Sequence, residues 1–170
     1  MKDFPIIKID DNLELTFPSS EFVSDLFEIY HNITTSRFMN CDNEISYDEV
    51  AKRIELIKKN YDTNKQLYWV IYSNEFSKAI GYITIFFHSN FWQLEYALNE
   101  TFWNKGIMCN CLKKAILFIK ENTDFNILAV VNTDNFASIK ILEKLEFVMT
   151  GVGKNESKVP STEFVNFYKK

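Results

Sequence analysis

One tract, residues 92–131, constrains the fold more than any other, because a strand, a turn, a long helix and a second strand follow one another there. Residues 92–98 form a strand-like run. Apolar positions 107, 108, 111, 112, 115, 116 and 119 then mark one face of a helix that ends near Lys120, and residues 125–131 are a nearly unbroken apolar strand. A crossover of this length joins parallel strands in one sheet. The tract therefore predicts a parallel pair within a mixed sheet.

The remaining segments predict a mostly antiparallel arrangement around that pair. Ser46 and Glu49 form a capping box at the start of a helix that ends near Tyr61. Alternating or apolar runs predict the other strands, at residues 13–17, 67–73, 79–87, 147–151 and 164–168. Helical spacing predicts the other helices, at residues 22–30 and about 136–145. We predict one α+β domain over residues 1–170, with a mixed, mostly antiparallel sheet of about six or seven strands flanked by helices.

Composition excludes several functions for this domain. The 170 residues are 46% hydrophobic, which suits one full core, and the formal charge of −4 argues against a nucleic-acid surface. There is no apolar run of membrane-spanning length and no signal-peptide pattern, so we expect a cytoplasmic protein without a membrane partner. The three cysteines and two histidines have no metal-ligand spacing, and we interpret the cysteines as reduced thiols.

The turn at residues 102–108 is the first candidate ligand site. Gly106 lets main chain approach a ligand closely, and the helix that follows presents unpaired N–H groups at its start, where a phosphate binds well. A plain turn before a helix has the same appearance, so Gly106 alone leaves both interpretations open. The tract contains neither a Gly-Lys-Ser/Thr phosphate loop nor a G-x-G-x-x-G dinucleotide fingerprint.

Three segments in order carry a family resemblance: EYALNETFWNKGI at 95–107, NFAS at 135–138 and LEKLEF at 142–147. Together they resemble the GNAT acetyltransferase superfamily, and within it the branch that acetylates the N-termini of ribosomal proteins. The resemblance implies acetyl-CoA as cosubstrate, no metal, and a cleft formed by the splayed parallel pair.

The resemblance also implies which residues hold the cosubstrate. The main chain of residues 103–108 would wrap the pyrophosphate, with Trp103 at the family's Gln/Arg position, Gly106 at its central glycine and Met108 at its Gly/Ala position. The main chain of Tyr96, Ala97 and Leu98 would pair with the pantetheine arm. The side chain of Asn135 would hydrogen-bond the same arm. The implied cosubstrate-binding residues are Tyr96, Ala97, Leu98, Trp103, Asn104, Lys105, Gly106, Ile107, Met108, Asn135 and Ser138.

Three positions depart from the family pattern. Met108 would crowd a phosphate unless its side chain turns into the core. Glu146 stands where relatives carry glycine, so it would be strained, by about 1 kcal/mol, if it has to adopt positive φ. Leu142 stands where many relatives carry a tyrosine that protonates the leaving thiolate.

Two residues are candidates for the chemistry. An alkyl amine is almost fully protonated at pH 7, a handicap of roughly 4 to 5 kcal/mol, so a base has to take a proton. Glu95 lies on the strand where the family places such a base, although it could equally be an exposed strand glutamate on the face it shares with Gln93 and Asn99. Ser138 is a candidate proton donor, and a helix-capping role is its alternative. A thiolate can also leave without a donor.

We therefore expect an acetyl-CoA-dependent N-acetyltransferase acting on a primary amine, either a peptide N-terminus or a small molecule. The alternative is a catalytically weak or inactive acyl-CoA-binding or regulatory domain of the same fold, and a scaffold that binds no CoA is a third hypothesis. Residues 34–43 and 153–160 are the loops we expect to select the acceptor, and the exposed face of the last strand leaves a homodimer open.

Overall fold

The computed structural model describes residues 4–39, 45–154 and 159–166. Within these ranges, eight strands form one sheet in the order β1-β2-β3-β4-β5-β6-β8-β7. The strands are β1 Ile7–Lys8, β2 Leu13–Thr16, β3 Gln66–Ser73, β4 Lys78–Phe87, β5 Phe91–Leu98, β6 Asn126–Asn132, β7 Val148–Lys154 and β8 Pro160–Asn166. The helices are α1 Val23–His31, α2 Ile33–Met39, α3 Tyr47–Asp62, α4 Ile107–Asn122 and α5 Phe136–Lys144.

This architecture confirms the predicted fold class. The pairing between β5 and β6 is parallel, and the other six strand pairings among the described residues are antiparallel. The capping box is present as predicted, because the Glu49 N–H and the Ser46 N–H each donate to the side chain of the other residue. The short strand β1 and the helix α2 were not predicted from the sequence, and β8 begins at Pro160 rather than near residue 164.

Helices cover both faces of the sheet. Helices α1 and α3 pack on one face, against side chains of β3, β4 and β5 that include Tyr68, Tyr82 and Ala97. Helices α4 and α5 pack on the opposite face, in a core built around the fully buried Trp69. Because side chains alternate along a strand, neighbouring residues of β5 project toward different helix layers.

A gap opens between the two parallel strands. Their pairing runs from Phe91 with Asn126 to Gln93 with Leu128. Beyond it β5 continues to Leu98 paired only with β4, while β6 continues to Asn132 paired with β8. The carboxyl halves of β5 and β6 therefore diverge, which is the splay expected from the family resemblance.

None of the helices in the described ranges is long and apolar enough to cross a membrane. Cys109 and Cys111 are free thiols, whereas Cys41 lies outside the described residues. The predicted acceptor loops lie partly outside them too, at residues 40–43 and 155–158.

Candidate functional site

The register of β5 determines which main-chain groups face the gap. At the two ends of the β4–β5 hairpin, Asn99 N–H donates to the Ile80 carbonyl and His88 N–H donates to the Phe91 carbonyl. Along an antiparallel ladder, hydrogen-bonded residue pairs alternate with non-hydrogen-bonded pairs. The odd-numbered residues of β5 therefore form their main-chain hydrogen bonds with β4. The main-chain groups of Leu94, Tyr96 and Leu98 therefore face the gap.

This register changes one expectation from the sequence. The main-chain groups of Ala97 point to β4, and its side chain packs under α1 and α3 on the face opposite α4. Ala97 is therefore unsuited to the main-chain contact that the resemblance implied, and Leu94, which the sequence analysis omitted, takes its place among the gap-facing residues. Which residues of β5 face the gap depends on the alternation of hydrogen-bonded and non-hydrogen-bonded pairs in the hairpin. The turn at residues 88–91 determines that alternation.

Trp103 holds the candidate phosphate turn against β5. Its indole Nε1–H donates to the Leu98 carbonyl, with 2.7 Å between nitrogen and oxygen. This carbonyl is one of the groups directed toward the gap, so the indole occupies a main-chain acceptor that a bound ligand would otherwise meet. Trp103 thus positions the turn through its side chain, while its main chain stays part of the turn.

The turn itself has the backbone of an anion cradle. Asn104 and Gly106 both lie in the left-handed region, with φ of 61° and 75°. Gly106 is the N-cap of α4 and provides no side-chain cap, and the first helical hydrogen bond runs from Asn110 N–H to the Gly106 carbonyl. The N–H groups of Ile107, Met108 and Cys109 precede that bond, which makes the start of α4 suitable for a phosphate.

Two side chains of the turn leave this space accessible. Met108 is 5% exposed and packs in the core between the sheet and α4, so it turns inward and does not crowd the cradle. Lys105 is exposed, and its ammonium nitrogen lies 5.3 Å from the centre of the Phe102 ring. A cationic side chain beside unpaired amides adds charge complementarity for an anion.

Helix α5 starts beside the same gap. Asn135 is its N-cap, as its residue type favours, and the Oδ1 atom accepts a hydrogen bond from Ser138 N–H at 3.2 Å. Leu142 is fully buried in the core and provides no polar group to the gap. The side-chain hydroxyl of Ser138 therefore remains the α5 group that the sequence proposed for proton donation.

Tyr96 connects β5 to α5, which the sequence analysis did not foresee. Its hydroxyl donates to the Ser138 carbonyl at 3.5 Å, a long and weak hydrogen bond. Burial raises the pKa of Tyr96 to about 12, and the bond to Ser138 opposes this shift only in part. The phenol is therefore neutral at physiological pH and borders the gap on the α4 and α5 side.

Glu95 lies on the other side of the gap. Its side chain is exposed, and the Oε1 atom accepts a hydrogen bond from Gln93 Nε2 at 3.0 Å. In the register it stands opposite the buried Thr84 of β4, on the face that α1 and α3 cover. The structure thus keeps the carboxylate in contact with solvent, and a bound partner would have to provide any desolvation.

Helix α2 covers the gap on the Glu95 side. It lies against β5, and its Arg37 carbonyl accepts a hydrogen bond from Asn132 Nδ2 of β6 at 3.5 Å. The Arg37 guanidinium also forms an ion pair with Asp134 in the β6–α5 turn, at 2.5 Å. The gap between the parallel strands is therefore a cleft bounded by different groups at its two mouths: Tyr96, α4 and α5 on one face, Glu95 and α2 on the other.

Glu146 adopts a positive φ, the conformation in which we expected a glutamate to be strained. Its φ is 62°, and it follows α5 in a Schellman motif, since Phe147 N–H donates to the Leu142 carbonyl and Glu146 N–H donates to the Glu143 carbonyl. Both Leu142 and Phe147 are buried, which gives the motif its usual hydrophobic contact. The cap geometry of a glycine is retained with a glutamate.

Within the described residues, no group of three or more His, Cys, Asp or Glu side chains is arranged to hold a metal ion. The cleft instead combines an amide-lined helix start, a splayed strand with main-chain groups available and a carboxylate on the opposite face. These features define the class of acyl-CoA-dependent transferases.

Comparison with known proteins identifies the family. The model of the acetyltransferase (GNAT) domain matches residues 12–148, and the chain belongs to this family of acetyltransferases. An uncharacterized N-acetyltransferase of Bacillus subtilis (strain 168), YoaA, is 25% identical over 155 residues, which are 88% of this chain and 86% of that protein.

Solved structures share the fold at lower identity. One is an acetyltransferase from Salmonella typhimurium that modifies the N-terminal serine of ribosomal protein L7/L12, with a TM-score of 0.83 and 17% identity, covering 97% of this chain and 100% of that one. Another is the microcin C7 self-immunity acetyltransferase MccE in complex with acetyl-CoA and AMP, with a TM-score of 0.84 and 21% identity, covering 95% of each chain. Their similarity supports the fold assignment.

Proposed function

We propose that this acetyltransferase moves the acetyl group of acetyl-CoA to a primary amine, either a peptide N-terminus or a small-molecule amine, by direct transfer within the cytoplasm. The observation that carries the proposal is the cleft that opens between β5 and β6 with differently built mouths on the two faces of the sheet. Two substrates entering from opposite faces would meet between the strands without an intermediate carried by the protein.

Acetyl-CoA fits the Tyr96 side of this cleft. The pyrophosphate would lie on the N–H groups at the start of α4, and a Cβ atom built on Gly106 meets no atom within 4 Å, so the space in front of the turn is open. The pantetheine arm would pair with the main chain of Leu94, Tyr96 and Leu98. Bound acetyl-CoA would supply a thioester carbonyl as the electrophile.

The amine fits the Glu95 side. Glu95, directly or through a water molecule, would take a proton from the ammonium form, and the neutral nitrogen would attack the thioester carbon. The new N–C bond forms as the C–S bond breaks, and coenzyme A leaves as a thiolate. The nitrogen loses two protons in all. One is released to solvent through Glu95, and the other replaces the proton that the thiolate takes from Ser138 or from water.

An assay of thiol release, with acetyl-CoA and a panel of amines and peptides, tests the proposal. We expect Glu95→Gln to lower kcat by 10²-fold or more at neutral pH, which is the usual scale for loss of a general base. Glu121→Gln, which removes an exposed carboxylate at the far end of α4, is the matched control and should keep the wild-type rate. A Glu95→Gln enzyme with full activity would remove Glu95 from the mechanism.

A second function, acyl-CoA binding without catalysis, is favoured by the burial of Leu142, since α5 then provides no phenol to the leaving thiolate. The two functions differ in one measurement. A thermal shift with acetyl-CoA that is accompanied by no thiol release across the panel would support the binding domain. The absence of both the shift and the release would contradict both functions.

A further inference from the structure

The sheet face that carries Glu95 has an open apolar side chain beside the cleft. Helices α1 and α3 pack on this face over β3, β4 and β5. On β6 the even-numbered residues share it, because the odd-numbered residues pack in the opposite core. Asn132 is buried where it contacts the Arg37 carbonyl of α2, whereas Val130, two residues earlier, is 42% exposed. Solvent therefore reaches β6 at Val130, next to the Glu95 mouth of the cleft.

Glu163 of β8 lies directly beside Val130, since the two residues pair across the antiparallel strands. Glu163 is exposed, and its Oε1 atom accepts a hydrogen bond from Thr150 Oγ1 at 2.7 Å. Its neighbour on β7 is Gly151, where a Cβ atom would meet no atom within 4 Å. The carboxylate of Glu163 is thus oriented by a hydroxyl and has open space above the strand next to it.

Glu95, Val130 and Glu163 form one row across the sheet. The parallel pairing of β5 and β6 ends at Gln93 with Leu128. Glu95 and Val130 are the next residues of this face on the two strands. Neighbouring strands are about 4.8 Å apart, and the splay widens the first of the two steps, so the Cα atoms of the two glutamates are about 10 Å apart or more. The exposed valine therefore has a carboxylate on each side.

The charges around this row favour a cation. Strands β5, β6 and β8 contain no lysine or arginine. Arg37 of α2, which lies at the Asn132 end of the mouth, is already ion-paired with Asp134. Two carboxylates beside an apolar surface produce a negative potential that attracts a ligand with two positive groups joined by an apolar chain.

We infer that the acceptor is a diamine or polyamine, whose reacting nitrogen lies beside Glu95 and whose second ammonium group binds Glu163. The inference rests on the proposed function and deepens it by naming the acceptor class. Four or five methylene groups place two nitrogens about 6 to 8 Å apart. A charged hydrogen bond of about 2.8 Å at each end extends this reach to about 12 to 13 Å, enough for carboxylates two strands apart. The methylene groups would lie on Val130, and the second ammonium group takes no part in bond making.

The test measures thiol release with 1,4-diaminobutane and with n-butylamine, which has the same alkyl chain and one nitrogen. Rates are corrected for amine protonation and for the statistical advantage of two equivalent nitrogens. In the wild type we expect kcat/KM to favour the diamine by about 5-fold, the upper end for an ion pair in contact with solvent. Glu163→Gln, which retains an acceptor for the Thr150 hydroxyl, should abolish this preference. Glu121→Gln, the same change at the far end of α4, should keep it.

Salt provides an independent readout. Exposed charges are screened as ionic strength rises, so about 0.5 M NaCl should lower the wild-type preference and leave Glu163→Gln unchanged. The KM for acetyl-CoA should be equal in the three proteins, because Glu163 lies on the sheet face opposite α4. A wild type without diamine preference, or a Glu163→Gln protein that retains it, overturns the inference. A higher kcat/KM for seryl-alaninamide than for the diamine also overturns it and would assign the acceptor to peptide N-termini.

Failure of the proposed function is recognised separately, as absence of thiol release from the wild type with every amine and peptide. In that case the thermal shifts at equal concentrations of 1,4-diaminobutane and n-butylamine replace kcat/KM. A larger increase in Tm with the diamine, lost in Glu163→Gln and kept in Glu121→Gln, still supports a diamine site. Equal shifts with the two amines, or no shift, overturn it.

Discussion

Replacement of Gly106 by alanine separates the conformational role of the turn from its role in binding. Gly106 has φ of 75°, and a Cβ atom at this position has no neighbour within 4 Å. The cost to folding therefore contains no clash and comes from the left-handed backbone, about 1 to 2 kcal/mol for a residue with a side chain. The lower entropy of the unfolded alanine chain offsets about 0.4 to 1 kcal/mol of this.

The net loss of stability should be about 1 kcal/mol. For a domain of this size it lowers Tm by roughly 2 to 4 °C in a calorimetric or fluorescence melt. The added methyl group would stand in the open space before the N–H groups of α4, where we place the pyrophosphate. Titration calorimetry with acetyl-CoA should therefore show binding weaker by about 10-fold or more, roughly 1.4 kcal/mol.

Gly151→Ala is the matched control. A Cβ at Gly151 also meets no atom within 4 Å, its φ is outside the positive region, and it lies on the edge strand β7 away from the turn. We expect its Tm to stay within about 2 °C of wild type and its affinity for acetyl-CoA to be unchanged. If Gly106→Ala melted at the wild-type temperature and bound acetyl-CoA normally, both the backbone argument and the location of the phosphate would be refuted.

Three further predictions follow from the structure. Glu146→Gly should raise stability by about 1 kcal/mol because it relieves a positive φ of 62°, whereas Glu146→Ala, which removes the same carboxylate without relieving φ, should not; equal melting curves for the two would contradict this. Trp103→Phe should lower stability by about 1 kcal/mol, since it leaves a β5 carbonyl unpaired, and should weaken acetyl-CoA binding in the same titration. Burial raises the pKa of Tyr30, Tyr68 and Tyr96, the last to about 12, so absorbance at alkaline pH should show these phenols ionising only above pH 10. Burial also raises the pKa of the Cys111 thiol from 9.0 to about 12, so the folded state binds more protons than the unfolded state from about pH 9 upward, and chemical denaturation should show stability falling from about pH 9 toward pH 12. Full phenol titration by pH 10 in the folded protein would contradict that sign.

The elements with strong local signals could be predicted from the sequence. Helix α3 begins at a capping box, and α4 carries a continuous apolar stripe, so local chemistry sufficed for both. Helix α2 has only seven residues, and among its described side chains the buried ones are Thr35 and Ser36, so its sequence presents no apolar periodicity. Its conformation depends on contacts with β5 and β6, which are distant in the chain.

For the candidate site, sequence patterns selected residues but did not give their orientation. Gly106, Asn135 and Glu95 could be selected because glycine before a helix, asparagine at an N-cap and a strand carboxylate are local patterns. Whether Met108 faces a phosphate or the core, and whether Ala97 or Leu94 faces the gap, depends on helix packing and on hairpin register. These are relations between segments, which a pattern along one segment does not contain.

The sequence alone therefore determined the class of fold and the family, and it selected the candidate turn for an anion, because each depends on residue types at fixed spacing. The tertiary structure decided how the cleft is walled: Tyr96 reaches α5 on one face, and α2 bridges the splay on the other. The physical reason is that strand divergence and helix placement arise from packing between distant segments, so the cleft and its two walls exist only in the folded chain.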